Sequence, residues 1–214
     1  PRPQMDQIML TAESLLVLDH HKTAEAALKD FPKARFDMTR SGAMMMADWL
    51  DEQGYIAHNW LVSAVQDRDL WQFKLGGTKE IIAVLASHPF EFAVWDSIYD
   101  GGMERAVKQG AGILAYIENY GKKAAKHAVL QSIGGYIVPV INIPYMNCSD
   151  HLDYLKSVTP SSPFVASFFL RHDGLWQFSL RCNEDFDVSE VAKRFGGGGH
   201  KQAAGFQVER LPWE

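Results

Sequence analysis

The chain has 214 residues, of which 47% are apolar and 12% aromatic, and its net charge is −5. This length and composition exclude a disordered protein and allow one large domain or two modest ones. The negative charge disfavours a protein that follows long nucleic acids, because such proteins neutralise phosphates with an excess of Lys and Arg. No apolar run approaches the roughly 18–20 residues of a membrane helix, so no membrane partner is expected.

Two cysteines, Cys148 and Cys182, lie far apart and outside any Cys-x-x-Cys motif. They predict free thiols in a reducing compartment. The chain does not open with a charged segment followed by an apolar one, as a secretory signal would. We therefore expect a cytoplasmic protein.

The first part of the chain alternates apolar and helix-forming segments. Residues 4–13 predict a short helix, and the apolar run 14–18 predicts a strand buried on both faces. Residues 22–30 predict a crossover helix, and Ser41 is placed to cap the next helix. The apolar positions of that helix recur at helical spacing: Ala43, Met46, Ala47 and Leu50. This order indicates an α/β domain with a parallel sheet over residues 1–105.

A helical segment, 79–98, precedes a linking helix that we place at 106–128, and a smaller domain then occupies 129–214. Its hydrophobic pattern predicts strands at 136–143, 163–171, 174–182 and near 205–210, and helices at 149–157 and 187–194. The His172-Asp173-Gly174 turn joins the two middle strands into a hairpin. The second domain is therefore predicted to be α/β with a mixed sheet.

Asp19, His20 and His21 stand where the predicted strand 14–18 ends. In parallel α/β sheets, ligands bind outside the carboxyl ends of the strands. An imidazole nitrogen there can bind a divalent cation, and a neighbouring carboxylate can orient that imidazole. Taken alone, these three residues fit equally well a strand that ends with histidines in solvent.

Asp67 and Asp69 form a second candidate group, after the apolar segment 59–65. Two carboxylates so placed could bind a hard or borderline cation. By themselves they are better explained as a charged turn, in which Arg68 pairs locally and Trp71 packs in the core.

The strongest single pattern is the segment 196–206, GGGGHKQAAGF. Amides of successive glycines can converge on an anion, and the side chains that follow can add donors. A flexible linker is the alternative, but the apolar AAGF that follows argues against it. The run lacks the Gly-Lys-Ser/Thr of a Walker loop. The candidate phosphate-binding residues are Gly197, Gly198, Gly199, His200 and Lys201.

Four segments in this order, VLDHHKTA, FDMTRSGAMMMADWL, VQDRDLWQF and GGGGHKQAAGF, resemble the DHH phosphoesterase superfamily. They are most similar to the bacterial branch of short-oligoribonucleotide nucleases and cyclic-nucleotide phosphodiesterases. The resemblance runs from Val17 to Phe206. It implies a DHH domain followed by a DHH-associated, substrate-binding domain.

The resemblance also implies roles for individual residues. His20 is implied as a metal ligand, Asp19 as its supporting carboxylate, and His21 as the histidine that reaches the scissile phosphate. Asp67 takes the place of a later aspartate ligand, with Asp69 as the less favoured candidate.

The glycine run is implied as the substrate-binding motif, with His200 on the phosphate, and Ser41 is a further candidate substrate contact. Two Mn²⁺ ions, with Mg²⁺ as the alternative, are the implied cofactor, and a two-metal site activates a water for in-line displacement.

The family's first motif, a strand with a histidine and two aspartates, precedes DHH and is not in this chain, nor is a further bridging aspartate. We therefore expect a longer parent to be the hydrolase and these 214 residues to be inactive themselves, with an N-terminally incomplete DHH domain.

The leading functional hypothesis is Mn²⁺-dependent hydrolysis of short oligoribonucleotides or related small nucleotides, such as 3′-phosphoadenosine phosphate or cyclic nucleotides. The alternatives are a nucleotide-binding module without catalysis and a single-strand DNA exonuclease. The acidic charge disfavours the exonuclease, and the glycine–histidine motif disfavours a pyrophosphatase. A dimer is possible.

Overall fold

The helical and extended segments fold into two units, which a computed structural model describes for residues 2–213. The chain divides after Ala115. This boundary lies within a helix of 23 residues, Met103–Ala125, which overlaps the predicted linking helix at 106–128. None of the helices in the described part of the chain combines the length and the apolar character that a membrane crossing requires.

The first unit begins with a helix, then has a short parallel β-α-β unit, and continues with helices. Its elements are α1 (Arg2–Met9), β1 (Val17–Asp19), α2 (Lys22–Leu28), β2 (Ala34–Phe36), α3 (Gly42–Glu52), α4 (Trp60–Asp69), α5 (Thr78–Ala86), α6 (Phe92–Asp100) and the start of α7 (Met103–Ala125). The predicted parallel pairing is confirmed, since β1 pairs in parallel with β2. The helices α4, α5, α6 and α7 pack around a core of Ala64, Ile81, Leu85 and Ala106.

Two details of the prediction for this unit are wrong. The strand is shorter than 14–18, and Val17 and Leu18 are half-buried, because the two strands pair only with each other within residues 2–213 and leave their outer surfaces partly open. The segment 79–98 is two helices, since Pro89 lies in the break between α5 and α6 and cannot continue a helix.

Ser41 caps α3 as predicted, because its hydroxyl accepts a hydrogen bond from the Met44 amide at 3.1 Å. The predicted apolar face of this helix is only partly right. Met44, Met45 and Ala47 are buried, whereas Met46 is 47% exposed. Three consecutive methionines leave the spacing ambiguous, so packing against neighbouring helices selects the buried face.

The second unit is built around a mixed six-stranded sheet, as predicted. Its strands and helices are β3 (Val129–Ile133), β4 (Tyr136–Asn142), α8 (Cys148–Val158), β5 (Phe164–Leu170), β6 (Trp176–Cys182), α9 (Val188–Arg194), β7 (Gly198–His200) and β8 (Ala203–Val208). The strand order is β3-β4-β5-β6-β8-β7, with β4 and β5 parallel and the other pairs antiparallel.

Successive side chains along these strands point to opposite faces of the sheet, and an apolar core lies on each face. One core combines Phe164, Phe178, Leu180 and Phe206 with Val191 of α9. The other core packs α8 through Leu152 and Leu155 on Ile141 and Val165. Both cysteines are free, and burial raises the pKa of the Cys182 thiol.

Glycines on α7 provide a matched test of close helix packing. A Cβ atom on the buried Gly110 would collide with the carbonyl oxygen of Glu80 on α5, whereas one on the exposed Gly112 would meet nothing within 4 Å. We expect Gly110→Ala to lower the free energy of unfolding of the first unit by about 1–3 kcal/mol. Gly112→Ala should raise it by about 0.5–1 kcal/mol, because alanine favours the helix. Denaturant unfolding measures both, and equal effects would contradict this packing.

His151 predicts how the stability of the second unit depends on pH. Its ring is buried at 4% exposure, and neither ring nitrogen has a hydrogen-bond partner among residues 2–213. This burial lowers the pKa of His151 below its ordinary value of 6.5, and the carboxylate of Asp150 opposes the shift more weakly.

The unfolded chain therefore binds the proton more readily than the folded one, so stability is complete above pH 6.5 and declines as the pH falls below that value. We expect His151→Leu to flatten this decline in thermal unfolding scans between neutral and mildly acidic pH. A decline of unchanged slope would exclude His151 as its source.

Candidate functional site

The Asp19 carboxylate organises the turn between β1 and α2. Its Oδ1 accepts hydrogen bonds from the amides of His20 and His21, at 2.7 and 3.1 Å, and from Nδ1 of the His21 ring at 2.7 Å. The turn lies at the carboxyl end of the parallel pair, where the Asp37 amide, just after β2, donates to the Asp19 carbonyl. The predicted placement of these residues at the end of a parallel strand is confirmed, and a ligand site there stays a prediction.

Histidine and carboxylate atoms of this turn form a compact donor group. The candidate ligand atoms of Asp19, His20 and His21 all lie within 4.8 Å of one another. The His20 side chain is only 11% exposed, and its Nε2 lies 3.3 Å from Oδ2 of Asp69 at the end of α4. Mixed imidazole nitrogens and carboxylate oxygens suit a borderline divalent cation.

Hydrogen bonds keep Asp19 charged. Its burial alone would raise the pKa, but the hydrogen bonds from the His21 side chain and from the amides of His21 and His20 hold the pKa below its ordinary value. The carboxylate is therefore ionised at neutral pH and fixes the proton of a neutral His21 ring on Nδ1.

The structure separates the two aspartates of α4. Asp67 is buried at 5% exposure, and its carboxylate accepts hydrogen bonds from the amides of Lys74 and Leu75 and from the Thr78 hydroxyl, at 2.8, 3.1 and 2.6 Å. Asp69, the less favoured sequence candidate, is the one beside His20. A ligand role for Asp67 stays a prediction.

The Asp67 carboxylate also stabilises the loop between α4 and α5, which has an unusual backbone conformation. Trp71 and Phe73 both have a positive φ, of 55° and 50°, a conformation that non-glycine residues seldom adopt. The Asp67 carbonyl accepts the Gln72 amide at 2.9 Å, so main chain and side chain of one residue hold both ends of the loop. Arg68 stacks on Trp71 at 4.1 Å, and Trp71 is 37% exposed, so this ring does not pack in the core as the alternative interpretation expected.

Ser41, the other candidate of the first unit, is 1% exposed. Its hydroxyl is engaged as the α3 cap, and its amide donates to Oε1 of Gln66. The structure thus assigns Ser41 a structural task, and contact with a substrate stays a prediction.

The glycine run is an ordered part of the second unit rather than a linker. Gly196, with φ of 76°, ends α9 in a Schellman motif. In this motif the Gly196 amide donates to the Lys193 carbonyl, and the Gly197 amide donates to the Ala192 carbonyl at 2.9 Å. The Gly197 amide is therefore already engaged, and the carboxyl end of α9 contributes no positive dipole to an anion here.

Close packing against β8 explains why positions 197 and 199 are glycines. A Cβ atom on Gly197 would collide with the Gly205 carbonyl oxygen, and one on Gly199 would collide with the Ala203 carbonyl oxygen. Gly198, Gly199 and His200 form β7, which pairs with Gly205, Ala204 and Ala203 of β8. This pairing places His200 and the exposed Lys201 at the hairpin turn.

An open cleft lies beside the glycine run. It has a volume of about 390 Å³, within the range of small-molecule sites. Its walls come from β6, β8 and the residues just before β6 and just after α9: Leu175, Gln177, Gly196, Gly197, Gly205, Phe206 and Gln207. Sequence reasoning missed both glutamines. Their alternation with buried residues along β6 and β8 marks them as members of the opposite face of the sheet.

Substitutions of the two aspartates of α4 are predicted to have effects of different size on stability. In the presence of a chelator, we expect Asp67→Asn to lower the free energy of unfolding of the first unit by about 1–3 kcal/mol, because an amide cannot accept all three hydrogen bonds. Asp69→Asn, the matched control with a side chain 45% exposed, should change it by less than about 0.5 kcal/mol.

Burial alone would raise the pKa of Asp67, but its hydrogen bonds lower that pKa below 3.8. The contribution of Asp67 to the free energy of unfolding is therefore complete at neutral pH and is lost as the pH falls through its pKa in the folded protein. Chemical denaturation at several pH values measures this contribution. If Asp69→Asn lowered the free energy of unfolding more than Asp67→Asn, then Asp69 and not Asp67 would be the aspartate that stabilises the fold.

Comparisons with known proteins indicate the family of this chain. Residues 134–212 match the DHHA1 domain family. The chain is 30% identical over 209 residues to uncharacterized protein R106 of Acanthamoeba polyphaga mimivirus, covering 93% of this chain and 49% of that protein. It is 23% identical over 214 residues to oligoribonuclease NrnB of Bacillus subtilis (strain 168), covering 90% of this chain and 52% of that protein.

The chain thus spans about half the length of the curated relatives it matches. A solved structure, that of an exopolyphosphatase-related protein from Bacteroides fragilis, shares the fold with a TM-score of 0.51 at 12% identity, over 84% of this chain and 55% of that one. The matched residues 134–212 include the sheet from β4 to β8 and its glycine–histidine hairpin. This chain is a member of the DHH phosphoesterase superfamily, and its residues 134–212 form a DHHA1 domain.

Proposed function

We propose that this chain is part of a manganese-dependent phosphodiesterase that hydrolyses short oligoribonucleotides or related small nucleotides. The observation that carries the proposal is the donor group of Asp19, His20 and His21 at the carboxyl end of a parallel strand. The curated relative named as an oligoribonuclease supports the choice of substrate. The mild negative charge of −5 favours a short substrate held at one place over a long nucleic acid.

The residues of the first unit fit a divalent cation. His20 offers an imidazole nitrogen, and Asp69 offers a carboxylate oxygen 3.3 Å from it. This combination of borderline and hard ligands favours Mn²⁺, with Mg²⁺ as the alternative. When bound, such ions make a nucleophile from water and polarise the phosphate.

His21 is suited to act on the substrate itself. The hydrogen bond from its Nδ1 to Asp19 fixes the ring orientation and places the lone pair of the neutral ring on Nε2. The His21 side chain is 48% exposed, whereas that of His20 is 11% exposed. We therefore assign His20 to the metal and His21 to the scissile phosphate.

The second unit supplies substrate binding in this proposal. His200 and Lys201 stand at the turn of the β7–β8 hairpin, where they can donate to a phosphate. Because the Gly197 amide is engaged in the helix cap, we propose that the glycines chiefly allow close approach and that the side chains at the turn provide the charge.

A binding module without catalysis is a second candidate. It is favoured by the commitment of Asp67 to the loop before α5, which leaves Asp69 as the α4 carboxylate beside His20. A two-metal centre needs more carboxylates than this group provides. We accordingly propose that these 214 residues on their own hydrolyse little or nothing, and that the whole protein is the enzyme.

Hydrolysis of a short oligoribonucleotide tests the proposed function. We expect the whole protein to require Mn²⁺ and to lose activity in chelator. His20→Ala should lower kcat by about 100-fold or more, because it removes a ligand from the metal centre. His127→Ala, a matched change at an exposed histidine after α7, should leave kcat unchanged.

Full activity in chelator would refute the metal requirement. A near-normal rate for His20→Ala would refute its assignment as a ligand. A protein that binds nucleotides but never hydrolyses them would be the binding module.

A further inference from the structure

The cleft beside the glycine run is lined by uncharged residues. Its polar side chains are two glutamines, Gln177 on β6 and Gln207 on β8. They are directly opposite each other in the antiparallel ladder, so both project from the same face of the sheet. A neutral, amide-lined cleft is poorly suited to a phosphate, and it is well suited to the uncharged, hydrogen-bonding edge of a nucleobase.

Hydrogen bonds fix the orientation of Gln177. Its Nε2 lies 3.1 Å from the Phe178 carbonyl oxygen and 3.3 Å from the Phe206 carbonyl oxygen. Only an NH₂ group can satisfy two acceptors, so the amide nitrogen must face the backbone. The Gln177 Oε1 atom is thereby directed toward Gln207.

Gln177 in turn fixes Gln207. Since Oε1 of Gln177 can only accept, Gln207 must present its nitrogen to it, and the two atoms are 2.8 Å apart. The second N–H of the Gln207 side-chain amide and its oxygen, Oε1, have no hydrogen-bond partner within the described range 2–213. The residue is exposed, so this fork of one donor and one acceptor faces the cleft opening.

We infer that the Gln177–Gln207 pair reads a nucleobase, preferentially adenine, in the cleft beside the glycine run. A glutamine amide pairs in two places with adenine, accepting from the N6 amino group and donating to N7. This inference rests on the proposed function, because it names the part of a nucleotide substrate that the second unit recognises.

The surroundings of the pair support a planar ring as its partner. Leu175, two positions before Gln177 and half-buried, gives the cleft apolar surface against which a base can lie, whereas the Phe206 ring is buried in the core on the other face of the sheet. Gly205 keeps the floor open, since a Cβ atom there would lie 2.7 Å from the Phe178 carbonyl oxygen and 3.6 Å from Nε2 of Gln177. His200 and Lys201 stand at the other end of the hairpin, so phosphate and base would be held by different parts of β7 and β8.

Titration of the 214-residue chain with three probes tests the inference. The probes are adenosine monophosphate, purine riboside monophosphate, which lacks the N6 amino group, and ribose 5-phosphate, which lacks the base. We expect affinity to fall in that order. Gln207→Leu should weaken binding of adenosine monophosphate by about 5- to 30-fold, the effect of two neutral hydrogen bonds, and should leave ribose 5-phosphate binding unchanged.

Two further variants sharpen the test. Gln207→Glu keeps the size of the side chain and an acceptor for the N6 amino group but removes the N–H donors, so it should weaken adenosine monophosphate and purine riboside monophosphate alike and leave the preference between them in place. Gln131→Leu, on the opposite edge strand β3, is the matched control and should bind like the parent. Thermal unfolding of each variant identifies a loss that is only structural.

The possible outcomes separate this inference from the proposed function. Equal binding of all three probes, or Gln207→Leu with lowered stability and unchanged affinity, would overturn base reading. If in that case His200→Ala still weakened every probe and the whole protein still hydrolysed RNA, the proposed function would stand. Absence of any binding would overturn base reading, and the hydrolysis assay would then decide the proposed function alone.

Discussion

The close approach of β7 to β8 is the constraint on which the second unit's candidate site depends. Side chains at Gly197 and Gly199 would collide with carbonyl oxygens of β8, so this edge of the sheet forms only with glycine at those positions. The first two glycines of the run simultaneously close α9 in a Schellman motif. The glycine run is therefore explained by backbone geometry before any ligand is considered, and its consequence for function is the shape of the hairpin and the cleft.

The carboxylates of the first unit differ in what they contact. Asp19 uses one oxygen to accept three hydrogen bonds, which fixes the turn that carries both histidines. Asp67 stabilises the strained loop after α4, and Asp69 approaches His20. A carboxylate that is buried and fully hydrogen-bonded is costly to redirect toward a cation. The local hydrogen bonds thus distinguish the aspartates that shape the site from the one available to it.

The two units offer different chemistry. In the first, imidazole and carboxylate groups form the donor set that we propose for a divalent cation, with a histidine beside them that is oriented by an ionised aspartate. In the second, charged donors stand at a hairpin turn, and a neutral cleft lined by two glutamines lies at the other end of the same hairpin. The proposed function calls for this separation, since a reacting phosphate and a recognised base need different surroundings.

The sequence by itself determined the elements whose signals are local. The Ser41 cap, the hairpin turned at Gly174 and the DHH segment at the end of a strand follow from residue types and spacing. Only the tertiary structure shows that Asp67 is buried and that Asp69 lies beside His20. Residues two apart on a helix point about 200° away from each other, so neighbouring packing determines which one is buried and which one reaches His20. The Gln177–Gln207 pair was likewise inaccessible to sequence reasoning, because strand register alone brings these two residues together.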